Sequence, residues 1–368
     1  MQDDKIFMQK AIDLAKQGRG RTFPNPMTGT VVVNNGEIVG EGFYSGKSSS
    51  EFHALEAAKG KTDGATLYTV VEPSNISFAE CIKTKGIKRV VISMENPNSN
   101  ITGKVLRELF DLNIDILTGI EKEKSKRLNE IFVKYSQTKL PFINIVASMT
   151  LDGKSSTSIG DREEIISDES NKYLHELRAR YEAVMVSVDM IIRYNSVLNC
   201  KIPNGHEPIK IIIDSYAKTP LNSKIFRKKK NNGDIRSNII IVVSHQAPER
   251  RIKMLQAEGA EVVICSDEED NLDSPYAEVN IRKLMFLLGK RNITSLLVEG
   301  DGNLNSLLLE EKLVDKFSLF LVPKIVGGKD ALTPVEGIGI SLMSQAIELK
   351  HFKSKQLGKD LLLEGYTE

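Results

Sequence analysis

Short apolar runs alternate with helical stretches along nearly the whole of this chain, and the alternation breaks once, at Pro141. That rhythm limits the fold more than any single residue does. Strands separated by helices pair into a mixed or parallel sheet covered on both faces. In the first half a helix is expected from Lys5 to Gly18, where Ile6, Met8, Ile12, Leu14 and Ala15 fall near helical spacing. Val31 to Val39 reads as a hairpin turned at Asn34-Asn35-Gly36. A helix over His53 to Lys59 and strands over Ala65 to Val71 and Lys88 to Ser93 follow, then a helix over Lys104 to Phe110 and a strand over Ile114 to Leu117. The charged helical stretch Glu121 to Lys134 leads to the expected boundary, with domains over residues 1–140 and 141–368.

The second half has expected strands at Ile143 to Ala147, Val184 to Val188, Ile209 to Asp214, Ile239 to Ser244, Glu261 to Cys265 and Ser295 to Glu299. Helices are expected between them, among them Glu169 to Tyr181 and Leu304 to Leu309. Lys and Arg number 50 against 49 Asp and Glu, so no global charge steers the chain to nucleic acid or to a membrane. The run Arg227 to Asp234 is basic but is bordered by Gly and Asn and lacks aromatics, and it reads as a solvated loop. No apolar stretch approaches the length of a membrane span. The acidic start Met1 to Lys5 runs straight into a helix, so no signal peptide is expected. Cys81, Cys200 and Cys265 lie far apart, as expected of reduced thiols in the cytoplasm.

The residues that carry chemistry fall into two sets. In the first half they are Pro24-Asn25-Pro26, Val39-Gly40-Glu41-Gly42, Ser49-Ser50-Glu51, Gly64 to Tyr68, Glu72-Pro73-Ser74 and Asn96-Pro97-Asn98. In the second they are Met149 to Lys154, His175 to Ala179, Asp214-Ser215, Val298-Glu299-Gly300 and Pro323-Lys324 with Gly327-Gly328. In content and order these motifs resemble the bifunctional deaminase/reductase family of riboflavin biosynthesis. The resemblance implies an α/β chain: an N-terminal cytidine-deaminase-like three-layer domain, then a C-terminal dihydrofolate-reductase-like domain.

The family's deaminase chemistry needs a His two residues before a catalytic Glu, and two Cys further on. Ser49, Ser74 and Phe78 stand at those positions, which leaves Glu51 as a vestigial catalytic position and leads to the expectation of no zinc and no deamination. His53, four residues past the expected imidazole, reads as structural, and Cys81 as a lone thiol.

In the reductase half the resemblance implies NADPH beside a phosphorylated aminopyrimidine. Arg178, Leu198, Lys201 and Glu299 match substrate-binding positions, Lys201 in place of an Arg. Ser215 and the turn Gly300, Gly302, Asn303 match cofactor-binding ones, the turn offering backbone N–H groups to a phosphate. A ligand is expected between Arg178 and Glu299, its phosphate on the Arg178 side. Met190 and Tyr194 replace polar contacts to the nicotinamide cofactor, and Arg162, Glu163 and Glu164 crowd the pocket edge. The expected function is therefore reduction without deamination, in a homo-oligomer, with a homodimer as its form. The alternatives are a pseudoenzyme that binds an intermediate or partner, and an enzyme of changed specificity.

Overall fold

A computed structural model describes residues 2–75, 77–161, 165–226, 238–266 and 278–367. The basic run at 227–234 and the expected crowding by Arg162, Glu163 and Glu164 lie outside the described residues. The chain divides into two compact units, Met1–Leu140 and Pro141–Glu368.

The first unit runs α1 (Gln2–Ala15), β1 (Gly29–Asn34), β2 (Glu37–Phe43), α2 (Ser50–Ala57), β3 (Thr66–Val71), α3 (Ser77–Thr84), β4 (Arg89–Met94), α4 (Lys104–Asp111), β5 (Asp115–Thr118), α5 (Lys122–Leu128) and α6 (Glu130–Thr138). Its five strands order as β2-β1-β3-β4-β5, with β1 antiparallel to both neighbours and β3, β4 and β5 parallel. Side chains alternate between the sheet's two faces. Val31, Val33, Tyr68, Val70 and Val91 pack beneath α1 with Met8, Ala11 and Ile12. Val32, Leu67, Val90 and Ile92 pack on the other side with Leu55 of α2, Ile82 of α3 and Leu109 of α4. That is a three-layer unit with two separate apolar cores.

Two of the boundaries that differ from the expected ones have a local cause in a side-chain hydrogen bond. Helix α2 starts at Ser50 rather than His53, because the Ser49 hydroxyl caps it by accepting from the Phe52 N–H. The expected single helix after Glu121 is two, parted at Asn129, whose side chain accepts from the Met27 N–H and donates to the Met27 carbonyl.

The second unit runs β6 (Phe142–Thr150), α7 (Asp168–Arg180), β7 (Ala183–Ser187), α8 (Val188–Tyr194), β8 (Ile209–Ile213), β9 (Ile239–Val243), α9 (Glu249–Ala257), β10 (Glu261–Ile264), α10 (Ile281–Lys290), β11 (Ser295–Val298), α11 (Gly302–Glu310), β12 (Lys316–Val322), β13 (Lys350–Leu357) and β14 (Asp360–Tyr366). Nine strands order as β10-β9-β8-β7-β11-β6-β12-β14-β13. The first seven are parallel, and an antiparallel hairpin closes the β12 edge. Runs such as Ala183–Val186 and Leu296–Val298 are buried residue after residue, as strands covered on both faces must be. Among the described residues no helix is long and apolar enough to cross a membrane.

The glycines of β2 set how closely α2 can approach. A Cβ on Gly40 would lie 2.1 Å from the Ala54 carbonyl oxygen, and one on Gly42 would lie 2.3 Å from that of Ser50. The helix therefore rests on the strand backbone to backbone, and a methyl group at either place must push it away. Gly40→Ala is expected to destabilise the full chain by about 1–3 kcal/mol, as overpacking does. A urea midpoint unchanged from the parent chain would show that α2 is free to shift.

Candidate functional site

In the first unit α2 and α3 flank a cavity of about 680 Å³ whose wall includes Ser49, Glu51, Glu72, Ser74, Phe78 and Cys81. Glu51 is buried, and its Oε1 accepts from the Thr69 hydroxyl at 3.1 Å. Behind it a chain of hydroxyls links Thr69 to Thr30, Thr30 to Ser50 and Ser50 to Thr28. Glu72 is 1% exposed; its Oε2 accepts from the Asn96 and Gly103 N–H groups, while Oε1 meets no partner. Phe78 is buried in the apolar core, Cys81 is exposed on α3, and His53 is not among the residues on the wall.

In the second unit two cavities share Leu174, Met190, Tyr194 and Glu299. One, of about 630 Å³, takes in Arg178 and Leu198; the other, of about 80 Å³, takes in Gly300 and Gly302. They open beyond the carboxyl ends of β7 and β11, where ligands settle in parallel α/β sheets. Arg178 on α7 and Glu299 just past β11 face each other there as a bidentate pair, Nε to Oε1 at 2.5 Å and Nη2 to Oε2 at 2.6 Å. The pair is 12% and 13% exposed. The remaining Arg178 nitrogen, Nη1, donates to the Asn199 carbonyl at 3.2 Å. Burial alone would pull the guanidinium pKa down, but the charge of Glu299 outweighs it and holds Arg178 above its ordinary value. His175, one turn back on α7, sits with Nδ1 3.1 Å from the same carbonyl, so Nδ1 carries a proton. Burial, then the neighbouring Arg178 charge, keep its pKa below the usual imidazole value.

The expected site residues divide accordingly. Arg178, Leu198 and Glu299 come together in the larger cavity, with Leu198 held at φ 57, in the left-handed region. Lys201 is exposed and lies outside both cavities, as do Ser215, at the end of β8, and Asn303. No ligand fits between Arg178 and Glu299 as expected, because they already touch. The turn before α11 also differs from the expected phosphate cradle. Asp301 caps the helix, its Oδ1 accepting from the Leu304 N–H, and the Glu336 side chain packs where a Gly302 Cβ would go. Asp301 thus holds the helix start, and Glu336, its Oε1 accepting from the Thr333 N–H, fills the space beside Gly302. Tyr194 is locked by its hydroxyl donating to the Gly160 carbonyl at 3.0 Å. Sequence reasoning missed Arg193, which also lines the larger cavity, because no motif marks it.

Residues 141–363 match the family model "RibD C-terminal domain", and residues 1–94 match "Cytidine and deoxycytidylate deaminase zinc-binding region". The riboflavin biosynthesis protein RibD of Actinobacillus pleuropneumoniae is 34% identical over 98% of this chain and 94% of its own length. Among solved structures, RibD of Acinetobacter baumannii (form 1) superposes with a TM-score of 0.85 at 25% identity, covering 99% of each chain. The Thermotoga maritima diaminohydroxyphosphoribosylaminopyrimidine deaminase/5-amino-6-(5-phosphoribosylamino)uracil reductase does so at 0.82 and 28%, again over 99% of each chain. The expected fold class, deaminase-like domain then reductase domain, is that of these proteins.

The expectation of no zinc is corrected by the same comparison, since the match of residues 1–94 to a zinc-binding region points to zinc. The side chains on the cavity wall do not by themselves supply a donor set. Ser49 is spent as a helix cap, Phe78 is a phenyl ring, and among the described residues no three His, Cys, Asp or Glu converge.

The buried pair yields a stability test. Glu299→Gln leaves the Arg178 charge uncompensated and is expected to cost about 3–5 kcal/mol. Replacing both partners together, Arg178→Met with Glu299→Leu, should recover most of that loss, read from urea denaturation of each variant. A double variant no more stable than the single one would mean that Glu299 acts through contacts other than Arg178.

Proposed function

The chain belongs to the RibD family of riboflavin-biosynthesis proteins, and on that premise we propose that its second unit carries the family's reductive step. The reaction is NADPH-dependent reduction of a ribosylaminopyrimidine 5′-phosphate. One observation carries the reading. Two adjoining cavities beyond the carboxyl ends of β7 and β11 share Leu174, Met190, Tyr194 and Glu299 as a common wall. A hydride donor and its acceptor need this arrangement, two ligands meeting across a boundary of side chains. Hydride transfer is chiefly the cofactor's chemistry, and the protein supplies binding and orientation. The pair Arg178–Glu299 gives a rigid floor, Leu174 and Met190 exclude water, and the Tyr194 hydroxyl ties α8 to the loop at Gly160.

We assign the first unit no deamination. Where family members carry His-Ala-Glu and Glu-Pro-Cys this chain has Ser49-Ser50-Glu51 and Glu72-Pro73-Ser74, and those departures at the family's reactive positions support this reading. A second reading, ligand binding without turnover, is favoured by Asp301 and Glu336, which put carboxylates where a dinucleotide phosphate would approach α11. The three cysteines are free, which supports placing the protein in the reducing cytoplasm.

The full chain mixed with NADPH and 5-amino-6-(5-phosphoribosylamino)uracil is expected to consume NADPH, read as loss of its absorbance. With the diaminopyrimidine phosphate it should release no ammonia above background. NADPH bound in a calorimeter but not consumed selects the second reading, and NADPH not bound at all removes the first.

We also propose a homodimer, formed through the apolar stretch before β13. Ile338 is 98% exposed and Met343 90%, with Ile340, Leu342 and Phe352 exposed beside them. So much apolar surface in one segment marks an interface. β13 is the sheet's edge strand, and under two-fold symmetry a second copy brings the same apolar stretch to meet it. The lysines at 350, 353 and 355 oppose direct edge pairing, so the contact is by faces. Light scattering should give twice the chain mass for the parent and a monomer for Ile338→Asp with Met343→Asp. A parent that scatters as a monomer at micromolar concentration refutes the dimer.

A further inference from the structure

The larger cavity of the second unit contains a cation that the site described so far leaves unused. Arg193 lies in the last turn of α8, next to Tyr194, and its side chain reaches the cavity wall. Its Nη1 lies 3.5 Å from where a Gly160 Cβ would be, so it sits against the loop that Tyr194 holds. Among the described residues Arg193 meets no hydrogen-bond or ion-pair partner.

Arg178 stands in contrast. Two of its nitrogens bind Glu299 and the third binds the Asn199 carbonyl, so its Nε–Nη2 edge is already occupied by a carboxylate and three of its five N–H groups are engaged within the fold. An incoming phosphate would have to displace a buried carboxylate at 2.5 Å. The turn at α11 is closed to phosphate by the Asp301 and Glu336 carboxylates. Within this cavity that leaves one planar fork of donors open to a phosphate, and guanidinium binds phosphate in just that bidentate manner. The four charged side chains of this wall, Arg178, Arg193, Asp161 and Glu299, sum to zero, so the placement rests on the open fork of Arg193 and not on net charge.

We propose that Arg193 anchors the 5′-phosphate of the aminopyrimidine substrate, and so makes this chain selective for the phosphorylated ligand. The inference rests on the reductase reading above, since it presumes that the substrate enters this cavity. It places the substrate phosphate at the mouth, beside α8 and Gly160, and the pyrimidine inward toward Leu198 and Glu299.

The test is calorimetric titration of the full chain and of Arg193→Ala and Arg193→Lys. The probes are 5-amino-6-(5-phosphoribosylamino)uracil, the same compound without its phosphate, and NADPH. Loss of a charge-assisted phosphate contact should weaken the phosphorylated ligand about 10- to 100-fold in Arg193→Ala. The phosphate-free ligand and NADPH should bind the variant as they bind the parent, and Arg193→Lys should restore part of the loss. Arg193 is exposed, so the variants should keep the parent's thermal transition. Equal weakening of both pyrimidines overturns the proposal, and so does an unchanged affinity for the phosphorylated one. Weakening confined to NADPH overturns it too, because the anion would then be the cofactor's. If the parent binds neither pyrimidine, the reductase reading fails and takes this inference with it; if the parent binds and Arg193→Ala binds equally well, the inference alone fails.

Discussion

The pairing of Arg178 with Glu299 is the contact on which the second unit's site depends. It ties helix α7 to the end of β11 at the centre of a nine-stranded sheet, and it does so where both side chains have nearly left water. Two buried charges are tolerated only when geometry and additional hydrogen bonds compensate their desolvation. Here the bidentate fork supplies the geometry, and the Asn199 carbonyl takes the last guanidinium nitrogen. That carbonyl also takes the His175 imidazole, so a single backbone group orients two cationic-type side chains. Leu198, just before it, stays in the left-handed region at φ 57, which an L residue seldom adopts. Strain of that kind persists where surrounding contacts over-determine the backbone, and here the bonds to Asn199 do so.

The frame of the first unit is set by contacts that lie away from its cavity wall. Gly40 and Gly42 bring α2 against β2 with no room for a side chain, and that contact does not involve the wall residues at 49, 74 and 78. Buried hydroxyls from Thr28 to Thr69 then hold Glu51 at a fixed place. The cavity of about 680 Å³ is therefore built by packing and hydroxyl chains.

Much of this architecture was legible in the sequence. The apolar runs at Ala65 to Val71 and Lys88 to Ser93 became β3 and β4 within a residue or so, because a strand buried on both faces admits little but apolar side chains. The C-terminal strands β12 to β14 were not anticipated: β13, with KHFKSKQL, is exposed along almost its whole length and carries no period-2 apolar signal. Helix α3 escaped because it is only eight residues long and buries just Phe78, Ala79 and Ile82, too few positions to show a helical period. In the site, motif text located Arg178, Leu198 and Glu299 in one cavity but could not say that the Arg and the Glu bind each other. Nor could it say that Asp301 would cap α11, since an Asp in a Gly-rich turn reads equally as cap or as loop. The absence of zinc was read from single positions, and the match of residues 1–94 to a zinc-binding region overrules that reading at the level of the whole region.

The general point is that a binding site is defined by the polar groups that folding leaves unsatisfied. A side chain recognised by motif can be largely engaged within the fold, as Arg178 is, while an unmarked neighbour keeps its donors. An Arg holding a carboxylate at 2.5 Å binds a second anion only by exchange, and exchange strands a buried carboxylate with nothing to accept from. An exposed Arg at a cavity mouth pays only for partial ordering of its own chain. Between two such groups on one wall, an anion is favoured at the one not already holding a carboxylate, and the rest of a ligand orients from there. On the proposal made above, the substrate's charged end lies at the α8 side and its ring faces Leu198 and Glu299, next to the boundary shared with the second cavity.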